Sequence, residues 1–163
     1  MKKTSDEWEP LEKLLEEICQ LLECDGITQV EQKFGVIQAL VDETVPVCIN
    51  FVPYQQTKED EYILQIYFSL TELCTTKISL LLARLDELND HLALGRLCVL
   101  PGQEIGYQHR LPIKISAPGQ AVTNVKQSLQ VMLLFLFSFL PYVQLLAEDP
   151  ESVTLVQYLA QEE

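Results

Sequence analysis

Ten consecutive residues without a charge, Val131 to Leu140 (VMLLFLFSFL), interrupt a chain that is otherwise strongly acidic. As a helix such a run rises about 15 Å, roughly half the hydrocarbon thickness of a bilayer, so on its own it is too short to cross one. A surface helix shows an apolar stripe of about 100°, whereas this run is apolar on every side and needs cover on more than one face. In a small protein that cover comes from the rest of the chain or from a second chain. The run therefore predicts a domain that pairs or binds a partner, with Val131, Leu134, Phe135, Phe139 and Tyr142 as the candidate dimer or partner interface.

With 163 residues the chain fits one domain, 1–163, and can bury enough surface to fold without a metal or a disulfide. The formal charge of −13 comes from 24 acidic and 11 basic residues. Its field opposes nucleic-acid backbones and anionic membranes, both of which bind through Lys/Arg clusters, and the sequence has no such cluster. Neither nucleic acid nor membrane is expected as a partner. The cysteines, Cys19, Cys24, Cys48, Cys74 and Cys98, are odd in number and scattered, with no Cys-x-x-Cys pair. That spacing points away from zinc and from a redox pair, and no cofactor is expected. The segment MKKTSDEWEP opens with basic residues but turns acidic with no apolar core, so the expected compartment is the reducing cytoplasm. Within it, Trp8 either anchors the first helix or faces a partner.

The hydrophobic pattern predicts an α+β fold in the order α-β-β-β-α-β-β-α, with an antiparallel sheet packed against helices. Leu11, Leu14, Leu15, Ile18 and Leu22 recur at helical spacing until Asp25-Gly26 ends the first helix. Thr28 to Val41 reads as one strand in which Gly35 marks a bulge or turn, and Asp42-Glu43 supplies the next turn. Val45 to Phe51 and Tyr62 to Leu70 read as strands joined by an exposed loop, Gln55 to Glu61. The second of these alternates, with Tyr62, Leu64, Ile66 and Phe68 on one face. Thr75 or Thr76 caps a helix reaching about Leu94, with Gly95 as its stop. A hairpin about Pro101-Gly102 follows, its second strand ending near Pro112. Thr123 or Asn124 starts the helix that carries the apolar run, and Pro141 kinks or ends it. Asp149-Pro150 opens a short last helix.

Chemistry-bearing constellations are not visible. His91 and His109 have no catalytic or metal-binding neighbours in sequence; the first suits a helix C-terminus and the second a packed strand position. Asp86, Glu87 and Asp90 could gather a cation, but they also form the ordinary solvated back of an amphipathic helix. Gly95, Gly102 and Gly106 are spaced as turn residues, not as a phosphate cradle. Arg96 and Arg110 flank one hairpin and either approach each other or pair outward. The chain is not expected to be an enzyme.

The segments Leu85-Asp86-Glu87-Leu88-Asn89, Leu94-Gly95-Arg96 and Ile105-Gly106-Tyr107-Gln108-His109-Arg110-Leu111-Pro112 resemble the YbjN-like family, whose domain looks like the type III secretion chaperone fold. The resemblance covers the chain to about Ala147 and rests on structural positions. It implies a chaperone-like or regulatory protein-binding module, acting as a homodimer, with no catalytic residues to carry over. Sequence alone leaves open a structural subunit of a larger complex, or an enzyme whose site forms only in three dimensions.

Overall fold

The computed structural model describes residues 5–58 and 60–161, and the side chains of residues 9–52 and 60–161. Trp8 lies outside the described side chains. The elements are α1 (Ser5–Cys24), β1 (Thr28–Lys33), β2 (Val36–Val41), β3 (Val45–Lys58), β4 (Glu61–Glu72), α2 (Ile78–Asn89), β5 (Arg96–Leu100), β6 (Glu104–Lys114), α3 (Pro118–Glu148) and α4 (Leu155–Ala160). The fold is α+β, and its strands form a six-stranded sheet in the order β1-β2-β3-β4-β6-β5. The chain divides into two compact units, 1–68 with 109–129 and 69–108 with 130–163.

The expected element order is short by one strand, while the short last helix expected after Asp149-Pro150 is present as α4. Phe34 and Gly35, at φ 54° and 75°, form a two-residue turn that splits the segment read as one strand into the hairpin β1/β2, with Lys33 opposite Val36. Two consecutive left-handed residues match the right-handed twist of the flanking strands. Phenylalanine is a poor signal for this geometry, which is why the glycine alone reads as a bulge. The Phe34 ring is 91% exposed, and the Lys33 ammonium lies 5.2 Å from its centroid. A true bulge does occur in β1, between Thr28 and Glu31, where Gln29 has φ 52°.

In the first unit, α1 packs on β1 and β2. Its stripe of Leu11, Leu14, Leu15, Ile18 and Leu22 is 0–2% exposed, each leucine contributing about 1.5–3 kcal/mol by burial. The helix closes at Gly26, φ 78°, whose N–H donates to Glu23 O at 3.3 Å while Ile27 N–H reaches back to Leu22 O at 3.1 Å. This pair of bonds satisfies the last carbonyls, and buried Ile27 folds onto the helix end. The Asp42-Glu43 turn forms as expected, with both residues at positive φ and Thr44 N–H bonded to Val41 O. β4 alternates as read: Tyr62, Leu64, Ile66 and Phe68 are buried, and the residues between them are half-buried. β3 and β4 extend further than expected, pairing as far as Lys58 and Glu61, so most of the supposed loop is strand.

In the second unit, α2 packs on β5 and α4. No side chain caps its start at Lys77; the Lys77 N–H instead bonds Thr75 Oγ1 at 3.0 Å, one position before the helix. α2 ends at Asn89, not at Leu94, so Gly95 stops no helix. It carries φ +73° in the link to β5, where an added Cβ would stand 2.6 Å from the Gln108 carbonyl oxygen and 2.8 Å from Tyr107 Cε2. β5 and β6 pair from Arg96↔Gln108 to Leu100↔Glu104 around Pro101-Gly102-Gln103. Pro112 falls where β6 has run past the end of β5, so its missing N–H breaks no rung with that strand.

α3 begins at Pro118, earlier than expected, because proline at the first helical position needs no N–H partner. It continues through Pro141. That proline deprives the Phe137 carbonyl of its donor, yet both residues face solvent, where water can take the carbonyl. Asp149-Pro150 forms a turn, with Ser152 N–H on Asp149 O. The cap of α4 is Thr154, joined reciprocally to Gln157.

Candidate binding surface on α3

The apolar run belongs to a helix with no charged side chain between Lys126 and Glu148. One face is core: Met132, Leu136, Tyr142, Val143, Leu146 and Ala147 are at most 1% exposed. The opposite face is open. Leu134 is 70% exposed, Phe137 59% and Leu145 39%, with Pro141 exposed between them. Positions 134, 137, 141 and 145 follow helical spacing and make a continuous apolar stripe.

The five residues named from sequence divide between these two faces and the shoulder between them. Leu134 stands on the open face, while Val131, Phe135 and Phe139 are half-buried. Phe135 lies against Tyr107 with ring centroids 5.0 Å apart and stacks on Phe139 at 4.9 Å. Phe139 in turn neighbours Tyr158 at 6.3 Å. Tyr142 is fully buried, stacked on Tyr158 at 5.0 Å, and has no surface to offer a partner. Phe137 and Leu145 were not singled out by sequence, because a run apolar on all sides does not reveal which side faces out. Pro141 was the usable signal: a proline inside a helix sits where its orphaned carbonyl can be hydrated.

Hydrogen bonds fix the aromatic layer beneath the stripe. The Tyr107 hydroxyl donates to Leu94 O at 2.6 Å, and burial pushes its pKa up to about 12. The Tyr158 hydroxyl donates to Ser138 O at 3.0 Å, tying α4 to α3. The Tyr142 hydroxyl is buried with no hydrogen-bond partner among the described residues. Two hydroxyls thus tie the layer to backbone carbonyls, while the outer stripe is left exposed.

Elsewhere a few charged residues are engaged with neighbours. Arg96 pairs with Asp86 at 3.3 Å, Arg84 with Glu87 at 3.2 Å, and Arg110 donates to Gln65 Oε1 at 2.9 Å, so of the two hairpin arginines Arg96 forms a salt bridge and Arg110 bonds a neutral amide. His91 Nδ1 lies 3.0 Å from Glu87 O at the end of α2. Burial lowers the pKa of His109 and raises those of Cys19, Cys48 and Cys98, which favours the neutral form of each. Among the described residues no three His, Cys, Asp or Glu side chains gather as metal ligands.

By length and composition α3 is apolar enough to cross a membrane, with 33% of its most apolar stretch buried. Val131 to Leu140 alone is too short to cross a bilayer, but the helix continues well beyond that run on both sides, and α3 as a whole is long enough. Comparison with known proteins found no family model that matches this chain and no curated protein similar to it.

Proposed function

We propose that this chain is a non-enzymatic protein-binding module, chaperone-like or regulatory, that works as a homodimer in the cytoplasm. One observation carries the reading: the open stripe of Leu134, Phe137, Pro141 and Leu145 on a helix whose other face is packed core. Apolar side chains aligned this way gain when another surface removes them from water, at about 25 cal/mol per Å². The resemblance to the YbjN-like family and its secretion-chaperone-like domain agrees with such a role. The acidic surroundings select a basic or apolar protein segment over nucleic acid.

A second reading has its own observation, the length and apolar composition of α3, which suit a lipid bilayer as the cover for the same stripe. Two measurements separate the readings. Light scattering at micromolar concentration should give the mass of two chains, and flotation with neutral phosphatidylcholine vesicles should leave the protein in the unbound fraction. A monomer that floats with the vesicles would replace the protein-binding reading with the membrane one.

A further inference from the structure

We infer that the exposed face of α3 is covered by α3 of a second copy, antiparallel about a two-fold axis at Phe137, with Lys126 of each copy facing Glu148 of the other. The inference rests on the binding-module reading and specifies its geometry.

Lys126, Phe137 and Glu148 stand at equal intervals along α3, and each interval is close to three helical turns. The three residues therefore share one face, and all three are exposed. Gln130, Leu134, Pro141 and Gln144 lie on the same face between them and are exposed as well. Read outward from Phe137, the face is apolar, then amide, then charged, and the two terminal charges have opposite sign.

Neither terminal charge has an ion-pair partner among the described residues, although Asp149, next to Glu148, is taken by Lys77 at 3.5 Å. A two-fold axis at Phe137 sets Gln130 against Gln144 and Lys126 against Glu148, twice over. A parallel pairing would set lysine on lysine and glutamate on glutamate. Two copies at −13 each repel at a distance, so a contact between them is favoured where like charges are absent and opposite ones meet. The same patch serves both copies, as a closed two-fold interface requires.

Sedimentation equilibrium of the full chain tests this, comparing wild type, Lys126→Glu, Glu148→Lys, the double variant, and an equimolar mixture of the two single variants. All substitutions are at exposed positions, and thermal melts check that each protein is folded. Each single variant should dissociate roughly tenfold more readily than wild type, since every homodimer then holds two like-charge contacts. The mixture should form heterodimers with near wild-type affinity, because both contacts are opposite-charge again, and the double variant should recover for the same reason. A wild-type dimer indifferent to all these changes would overturn the pairing while leaving a homodimer in place. A wild-type monomer would overturn the second copy as occupant; if that monomer bound a peptide and lost it on Phe137→Glu, the binding-module reading would survive without this geometry.

Discussion

The side-chain amide of Asn89 pairs with both backbone groups of Leu97: the Leu97 N–H donates to Asn89 Oδ1 at 2.7 Å, and Asn89 Nδ2 donates to the Leu97 carbonyl at 3.2 Å. β5 is the last strand of the sheet, so the amide stands where a neighbouring strand would otherwise bond. An open edge invites another chain, and one side chain from the end of α2 occupies this one. Asn89→Ala should lower stability by about 2 kcal/mol, because it strands two part-buried backbone groups. Asn89→Asp keeps the acceptor for the Leu97 N–H but loses the donor, and should cost less. Urea unfolding of the two variants beside wild type checks the order.

Gly95 answers to a different constraint. Its φ of +73° and the 2.6 Å approach of a would-be Cβ to the Gln108 carbonyl leave no room for a side chain. Gly95→Ala should cost about 2–4 kcal/mol, combining left-handed strain with a clash against backbone that cannot rotate away. Gly102, with nothing within 4 Å of an added Cβ, is the control. Gly102→Ala should change the melting temperature far less.

Tyr142 predicts a gain. Its hydroxyl is buried without a partner among the described residues, and a hydroxyl in that state costs about 1–3 kcal/mol relative to one in water. Tyr142→Phe keeps the ring stacked on Tyr158 and removes the orphaned group. Stability should rise by about 1 kcal/mol in denaturant titration, whereas a fall would show that the hydroxyl has a partner in solution.

Alkaline pH acts through Tyr107. Its pKa is about 12 in the folded protein, raised by burial, against an ordinary value of 10. The folded state therefore holds this proton more tightly than the unfolded chain does. The resulting stability is fully present below pH 10 and is lost as pH rises from 10 toward 12. Its size is about 2–3 kcal/mol. Tyr107→Phe, unable to ionise, should flatten that part of the stability profile while losing the bond to Leu94. Denaturant midpoints measured from pH 8 to 11.5 give the comparison.

Where periodicity was strong, the fold was legible. The α1 stripe, the alternation of β4 and the Pro101-Gly102 hairpin follow from residue spacing, because a period of 3.6 or 2 is a direct imprint of which side is buried. Two features were misread for physical reasons. The hairpin at Phe34-Gly35 hid because a bulky residue occupies a left-handed position. The end of α2 was drawn too late because Leu92 and Leu94 prolong the apolar pattern, though no helix holds them. Pro141 suits a kink or an end to the helix by its local chemistry, and it ends nothing here, because an exposed carbonyl at Phe137 makes it tolerable inside α3. The candidate surface was legible as a helix but not as a face. Phe135 and Phe137 are alike in sequence, and only the fold turns one toward Tyr107 and the other outward.

That contrast supplies the most direct test of a binding face on α3. Phe137→Glu and Phe135→Glu place the same charge two residues apart on one helix, and mass by light scattering is read beside the thermal melt for each. The wild-type protein should be a dimer. Phe137→Glu should be a monomer whose subunit fold is intact by circular dichroism, while Phe135→Glu should lose that fold, because it puts a carboxylate into the layer between Tyr107 and Phe139. A wild-type protein that stays monomeric at every concentration, or a Phe137→Glu variant that remains fully dimeric, would rule out a homodimer through this face.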